Sequence, residues 1–174
     1  EKLIIAGRVA VNGKVVASPA LDVLPSDRVT LDGKPIDAPQ PAKLWLYYKP
    51  LGLVTSNRDE KGRQTVFDTL PEDMPRVMSV GRLDLNSEGL LLITNDTLTI
   101  NRLTHPTFKV EKVYKVDVSS KLSKHQLDSL RQGVEIEGGK TRPAGVFVKD
   151  ESEGSMTLKM VITEGRKRQI RLML

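Results

Sequence analysis

The sequence contains no cysteine and only two histidines among its 174 residues. Without cysteine the chain has no thiolate nucleophile, no cysteine-rich zinc site and no disulfide scaffold, and two histidines leave little for any zinc centre. No apolar run approaches the roughly 18 residues that a membrane-spanning helix needs, and the N-terminus has no secretory pattern. We therefore expect a soluble protein of the reducing cytoplasm that uses neither a membrane nor a metal.

The chain carries a net charge of +5 and has an isoelectric point near 9.5, a mild preference for a polyanionic partner. Residues 1–40 contain five basic and five acidic side chains, so the entire excess lies in residues 41–174. Within the last sixteen residues, one acidic side chain, Glu164, stands against five basic ones: Lys159, Arg166, Lys167, Arg168 and Arg171. Taken alone, such a run is most simply a solvated helix face.

Two dipeptides in the first forty residues predict β-hairpins. Asn12-Gly13 lies between β-branched runs, and Asp32-Gly33 repeats the arrangement. Both residues of such a pair tolerate the left-handed backbone that a tight hairpin turn requires. The first part of the chain is therefore expected to be built from short strands.

Helical patterns lie at both ends of the sequence. Near the start, the apolar segment 3–5 is followed by Gly7, which indicates the last turn of a helix. Near the end, Ile170 and Met173 fall on one face of a second helical pattern. We therefore expect the natural protein to extend beyond both ends of this sequence.

A proline cluster follows the second hairpin, with Pro35, Pro39 and Pro41 within seven residues. This density excludes the interior of a helix or strand and is typical of a stiff tether. The sequence therefore predicts three parts: a small unit over residues 1–37, a linker over 38–42 and a larger domain over 43–174.

Strand patterns outnumber helix patterns in the larger domain. Strands are expected at 43–48, 90–94, 110–118, 134–137, 144–149 and 156–163, and helices at 96–103 and 123–132. The strands come in hairpins rather than in βαβ alternation, so we predict an α+β fold with a mainly antiparallel sheet and flanking helices. In the strand over 110–118, alternation places Tyr114 on the apolar face and Lys115 on the polar face.

The loop over residues 81–89 is polar and flexible and leads directly into an apolar strand, a position where catalytic groups are common. Asp84 is a carboxylate two residues after Arg82, and Glu88 is a second acid four residues on. If nothing else indicated a function for this loop, the simplest role for Asp84 would be to cap a turn. Two acids on one loop are only a weak indication of a glycosidase pair.

The segment 165–171 is basic and lies between a strand and a helix. Cations at the start of a helix oppose its macrodipole, so they suit phosphates or a buried carboxylate better than helix stability. If the helix begins near Lys167, Arg168 and Arg171 occupy adjoining positions of one face.

Several segments stand in the order and spacing of the ribosomal-RNA pseudouridine synthases: Tyr47–Gly52, Gly81–Asp84, Ser87–Leu92, Thr94–Asp96, Leu103–Pro106, Val110–Tyr114 and Glu164–Arg171. The chain resembles the RsuA/RluB branch of this family over nearly its whole length. Residues 1–37 resemble the second half of the alpha-L RNA-binding domain. The resemblance implies an isomerase that converts a specific uridine of ribosomal RNA into pseudouridine, of the 23S rather than the 16S type.

The resemblance also implies roles for individual residues. Asp84 matches the catalytic aspartate, Tyr114 the base-stacking tyrosine, and Arg171 the basic residue that pairs with the aspartate. Arg82 matches an arginine that helps to hold the substrate nucleotide out of its stack. Further RNA contacts are expected from Lys49, Arg166, Lys167 and Arg168. Neither a cofactor nor a metal is implied.

The implied chemistry suits these residue types. Uracil is detached from the ribose at N1, rotates, and is rejoined through its carbon five. A carboxylate can act as nucleophile at the sugar or as base at the neighbouring carbon, and the sequence leaves both routes open. Either route needs a charged Asp84, beside which Arg171 would supply a positive charge. Tyr114 would offer the displaced base a stacking surface.

Two other interpretations are weaker. A catalytically silent RNA-binding factor of ribosome assembly would have no reason to keep Asp84 in an RNA-facing groove, because an acid there repels phosphate. A glycoside hydrolase is disfavoured by the basic C-terminal run and by an aromatic content of 4%. We therefore expect ribosomal RNA as the partner of a monomeric enzyme.

Overall fold

The computed structural model describes residues 1–37, 40–57 and 59–174. The chain forms two compact units, Glu1–Pro41 and Ala42–Leu174. The predicted linker over 38–42 includes residues 38 and 39, which lie outside the described residues. In the described part of the chain, every helix is too short or too polar to span a membrane.

The smaller unit consists of a short helix and four short antiparallel strands in the order β2-β1-β3-β4. These elements are α1 (Lys2–Ile5), β1 (Val9–Val11), β2 (Lys14–Val15), β3 (Val29–Leu31) and β4 (Lys34–Pro35). Pro35, assigned from the sequence to the proline cluster, lies in β4. This is possible because β4 lies at the edge of its sheet. Along the outer side of an edge strand there is no neighbouring strand to accept a hydrogen bond, so a proline without a backbone N–H is tolerated there.

Both predicted hairpins form in the smaller unit. Asn12 and Asp32 have φ angles of 51° and 50°, and the glycines that follow them also have positive φ. These are the left-handed conformations that a type I′ turn needs. Arg8, directly before β1, donates from Nε to Asp32 Oδ1 over 2.9 Å, which joins the second turn to the start of that strand.

The larger unit is a mixture of strands and short helices. Its strands are β5 (Leu44–Lys49), β6 (Met78–Val80), β7 (Gly89–Thr94), β8 (Lys112–Val118), β9 (Glu135–Ile136), β10 (Gly139–Lys140), β11 (Gly145–Ser152) and β12 (Ser155–Ile162). Its helices are α2 (Thr97–Thr104), α3 (Lys124–Gln132) and α4 (Gln169–Met173), with 3-10 turns at Phe67–Thr69 and Pro106–Phe108.

Antiparallel pairing joins these strands into three groups, ordered β5-β7-β6, β11-β12-β8 and β10-β9. The predicted α+β class with mainly antiparallel sheets is confirmed. The alternation predicted for 110–118 is also confirmed, because Tyr114 is half-buried and Lys115 is exposed. Asp96 caps α2 through the backbone N–H groups of Leu98 and Thr99, as the sequence indicated.

Two apolar cores support the larger unit. Leu91 and Ile93 of β7 belong to one. The other joins Leu158 and Met160 of β12 to Leu127 and Leu130 on α3, among others. A capping box at Ser123 and Gln126 starts α3, so local sequence and long-range packing agree there.

The predicted start of the last helix is wrong. Helix α4 begins at Gln169, two residues later than expected, and Arg168 precedes it in the left-handed conformation with φ 55°. The backbone N–H of Arg166 donates to the side-chain oxygen of Gln169 over 3.0 Å, which closes a turn where the helix was expected to start. Arg168 and Arg171 therefore do not share a helical face.

Candidate active site

Asp84 lies on the loop that joins the neighbouring strands β6 and β7. Gly81 and Gly89 flank this loop with φ angles of 77° and 125°, which allow the chain to leave and re-enter the sheet sharply. The backbone N–H of Ser87 donates to the carbonyl oxygen of Asp84 over 3.0 Å, so the loop closes into a turn behind the carboxylate. About a third of the Asp84 side chain remains exposed.

Arg171 of α4 reaches this loop from the far end of the sequence. Its Nε lies 3.8 Å from Oδ2 of Asp84, and its Nη2 donates to the carbonyl oxygen of Asn86 over 2.7 Å. A longer contact of 3.5 Å joins Nη2 to Oγ of Ser87. One guanidinium therefore holds both the carboxylate and the backbone of the loop that carries it.

Lys49, at the end of β5, supports the same loop from inside the protein. Its side chain is fully buried, and Nζ donates to the carbonyl oxygens of Pro50 over 2.9 Å and Ser87 over 2.8 Å. Burial lowers the pKa of the Lys49 ammonium, while the negative charge of Asp84 opposes that effect. Lys49 was expected among the RNA-binding residues, but the structure encloses it, so its direct contacts are to the backbone of the site.

The segment after Pro50 provides the remaining support. The buried Thr55 hydroxyl donates to the carbonyl oxygen of Leu83 over 2.9 Å, next to Asp84 in sequence. The backbone N–H of Gly52 donates to the carbonyl oxygen of Leu85 over 2.9 Å. The loop is thus held by hydrogen bonds immediately before and after its carboxylate, and its geometry is pre-organised.

Tyr114 of β8 lies on the buried face of its strand, at the edge of the second core. Burial and the nearby negative charge of Asp84 both raise the pKa of the Tyr114 phenol. The tyrosine is therefore a neutral aromatic group near the carboxylate. A neutral ring in this place can stack on a base without adding a second negative charge.

Glu88, the second acid of the loop, has a partner of its own on β5. Its carboxylate accepts a hydrogen bond from Tyr48, and this contact raises the pKa of the Tyr48 phenol. Both side chains are exposed.

The basic residues predicted to bind RNA fall into two groups. Arg82, Lys167 and Arg168 are exposed. Arg166 is half-buried and donates to the carbonyl oxygens of Gly139 and Lys140, each over 2.7 Å, and of Gly138 over 3.2 Å. The Arg166 guanidinium therefore donates its hydrogen bonds to backbone carbonyl oxygens of the protein, as the Lys49 ammonium does.

Sequence reasoning missed the supporting residues. Thr55, Asn86 and Ser87 act through a buried hydroxyl or through backbone carbonyls, which leave no pattern in the sequence. Over the described ranges, no group of three or more histidine, aspartate and glutamate side chains is arranged to hold a metal ion. The arrangement is a carboxylate that faces one guanidinium, on a loop whose backbone is held by a buried lysine. Such a carboxylate can serve as a nucleophile or as a base.

Comparison with known protein families gives two matches. A family profile described as RNA pseudouridylate synthase matches residues 43–174, and one described as S4 domain matches residues 1–29. In three dimensions, the chain superposes on a crystal structure of a pseudouridylate synthase with a TM-score of 0.71 and 26% identity. That superposition covers 99% of this chain and 73% of the other.

Individual relatives are similar over almost the whole chain. The chain is 37% identical to the ribosomal large subunit pseudouridine synthase B of Bacillus subtilis, covering 99% of this chain and 71% of that protein. It is 38% identical to the Salmonella typhi protein of the same name, over 98% of this chain and 61% of that protein. An uncharacterized RNA pseudouridine synthase of Rickettsia felis is 39% identical, with coverage of 98% and 74%.

Proposed function

Because the chain belongs to the RNA pseudouridylate synthase family, we propose that it isomerises a specific uridine of large-subunit ribosomal RNA, with Asp84 as the catalytic group. The large-subunit assignment is supported by the two relatives named ribosomal large subunit pseudouridine synthase B. The observation that carries the proposal for the site is the contact of 3.8 Å between Arg171 and Asp84, made on a loop braced by buried hydrogen bonds.

The reaction conserves every atom of the nucleotide. The bond between N1 of uracil and C1′ of ribose breaks, the free uracil turns, and a bond forms between C5 and C1′. The proton on C5 is then lost, and N1 ends with a proton. Asp84 either attacks C1′ or removes the proton from C2′, and the geometry is compatible with both routes.

The other residues of the site have supporting roles in this proposal. The Arg171 guanidinium orients the Asp84 carboxylate through their contact and through its hydrogen bond to the carbonyl oxygen of Asn86. Tyr114 stacks on the displaced uracil, which must leave the RNA helix before it can react. The exposed Arg82, on the same loop, helps to hold the substrate nucleotide out of its stack.

RNA recognition is shared between the two units in this proposal. Residues 1–29 match the S4 domain, and the sequence of residues 1–37 resembles a known RNA-binding module. Its role is to select the RNA stem-loop, while the catalytic unit over 43–174 supplies the cationic excess. We further propose that the enzyme acts as a monomer in the cytoplasm.

Tritium release tests the proposal directly. RNA fragments of the large and small subunits, labelled with tritium at uracil C5, are incubated with the wild-type chain, with Asp84→Asn and with a control, Asp73→Asn, on an exposed residue elsewhere. We expect release from one large-subunit fragment by the wild type and the control. Asp84→Asn should bind RNA within several-fold of the wild type but release nothing, because the amide keeps the shape and loses the reactive oxygen.

Two outcomes would contradict the proposal. Substantial turnover by Asp84→Asn would remove Asp84 from the chemistry. Tight RNA binding by the wild type with no turnover on any fragment would favour the silent RNA-binding factor instead.

A further inference from the structure

A buried carboxylate lies close to α4 in sequence but outside the catalytic contacts. Glu164 is only 8% exposed. Its Oε1 accepts hydrogen bonds from the backbone N–H of Arg142 over 2.9 Å and from the side-chain amide of Gln169 over 2.7 Å. Its Oε2 lies 3.5 Å from Nη2 of Arg166. Burying a carboxyl group is costly unless hydrogen-bond partners satisfy it, so this cluster is a built feature of the fold.

Gln169 uses both ends of its amide in this cluster. It is 4% exposed, its Nε2 donates to Glu164, and its Oε1 accepts from the backbone N–H of Arg166 over 3.0 Å. The two bonds close the segment 164–169, which we call the clamp turn. Arg168 within it has the left-handed φ of 55°, a conformation that a non-glycine residue keeps only when its surroundings enforce it.

Arg166 ties the clamp turn to a second element. Its guanidinium donates to the carbonyl oxygens of Gly139 and Lys140 in the hairpin β9–β10, each over 2.7 Å. The clamp turn is therefore fixed on one side by a buried carboxylate and on the other by a hairpin.

Helix α4 starts at the residue that closes the clamp turn. It spans only Gln169–Met173, and a helix of this length has little stability of its own. Arg171 lies two residues after Gln169 and makes the 3.8 Å contact with Asp84. The direction of the Arg171 side chain thus depends on where the clamp turn places the first residue of the helix.

We propose that Gln169 and Glu164 are positioning residues, whose buried hydrogen bond sets the geometry of Arg171 against Asp84. The inference rests on the proposed function and deepens it. It also assigns to Arg166 a role in this positioning, through its hydrogen bonds to the hairpin, in place of a direct contact to RNA. A displacement of about 1 Å in a catalytic group can lower a rate by about 100-fold, so the arrangement of the clamp turn matters for turnover.

The test compares kcat and KM for the RNA fragment in a set of full-chain variants. Gln169→Leu removes both amide contacts and is expected to lower kcat by about 10- to 100-fold while KM stays within about twofold. Glu164→Gln keeps an acceptor for Arg142 and Gln169, so it should retain most of the activity that Glu164→Leu loses.

A matched control separates positioning from simple destabilisation. Thr94, at the end of β7 that is farther from the loop of Asp84, is 1% exposed, and its Oγ1 donates a hydrogen bond to the carbonyl oxygen of Lys43 over 2.6 Å. Thr94→Val therefore also removes a buried hydrogen bond, with a partner that lies outside the clamp turn and outside the residues bonded to it. We expect it to lower Tm by a similar amount to Gln169→Leu but to leave kcat within about twofold of the wild type.

A double-variant cycle identifies the residue through which Gln169 acts. If the effect passes through Arg171, Gln169→Leu should lower kcat much less in an Arg171→Lys background than in the wild type. Losses of kcat that multiply in the double variant would overturn the inference. So would a wild-type kcat for Gln169→Leu, or an equal loss of kcat in Thr94→Val. If the wild-type chain releases no tritium at all, the proposed function fails, and this inference fails with it.

Discussion

The buried ammonium of Lys49 donates a hydrogen bond to the carbonyl oxygen of Ser87 over 2.8 Å, across 38 positions of sequence. This bond fixes the loop of Asp84 from the inner side, while Arg171 holds it from the outer side. One cation therefore faces the carboxylate directly, and the other holds the backbone of the loop that carries it.

Lys49→Met should destabilise the protein and reduce its activity without changing its salt-dependent affinity for RNA. The substitution leaves the carbonyl oxygens of Pro50 and Ser87 without their buried donor, at a cost of roughly 1 to 3 kcal/mol in the free energy of unfolding. Urea unfolding measures the loss, and filter binding at several salt concentrations measures the affinity. The control is Lys43→Met, the same change at an exposed position just before β5. A smaller salt slope for Lys49→Met would mean that Lys49 contacts phosphate after all.

Tyr114→Phe should change the alkaline stability of the protein more than its activity. Burial and the charge of Asp84 raise the pKa of Tyr114, so the folded protein keeps this proton to a higher pH than the unfolded chain does. From about pH 10, the ordinary tyrosine value, up to the raised pKa, the unfolded state binds fewer protons and the free energy of unfolding falls as pH rises.

In the phenylalanine variant, the free energy of unfolding should fall less between about pH 10 and the raised pKa, because there is no phenol to titrate. Its kcat should stay within a few-fold of the wild type, because its ring still stacks. Urea unfolding between about pH 9 and pH 11 compares it with the wild type. Tyr114→Ala is the companion variant and should lose most of the activity. An unchanged pH dependence in Tyr114→Phe would show that the phenol is not the titrating group.

The exposed cations of the clamp turn should contribute to RNA affinity, whereas Arg166 should not. The pair Lys167→Gln and Arg168→Asn removes two exposed charges, and asparagine tolerates the left-handed backbone at 168. Each lost phosphate contact lowers the slope of log affinity against log salt by about 0.7 to 0.9. We expect the pair to reduce the slope at nearly constant kcat, and Arg166→Gln to reduce kcat at nearly constant slope. The opposite pattern in filter binding and tritium release would reverse the two assignments.

Deletion of residues 1–40 should affect discrimination between RNAs more than the salt dependence of binding. These residues carry no net charge, and the cationic excess lies in the rest of the chain. A tethered second site adds reach and selectivity without many phosphate contacts. Filter binding should show most of the salt slope retained but a smaller preference for the cognate stem-loop over an unrelated one. Loss of the salt slope in the deletion variant would show that the smaller unit makes most of the phosphate contacts.

Much of the fold follows from short stretches of sequence. Asn12-Gly13 and Asp32-Gly33 form the predicted hairpins because their residues accept the positive φ angles of tight turns. Ser123 and Asp96 start helices through hydrogen bonds to backbone groups no more than three residues away. The alternation in β8 follows from the geometry of an extended chain, in which successive side chains point to opposite faces.

Other features depend on residues that are far apart in sequence. The sequence predicted the start of α4 too early because Gln169 closes a turn onto the buried Glu164, which also accepts a hydrogen bond from the backbone N–H of Arg142, 22 positions away. Thr55 was overlooked because its partner, Leu83, lies 28 positions away.

By itself, the sequence determined the family resemblance, the fold class, the hairpins and the helix caps, since each depends on residue types at short spacing. Only the tertiary structure decided which cations face solvent and which are used inside the protein. Lys49 and Arg166 look like other basic residues in the sequence, but both donate to backbone carbonyls brought to them by distant segments. A lysine or arginine pairs with whichever acceptor lies within about 3 Å of it, and that neighbourhood exists only once the chain has folded.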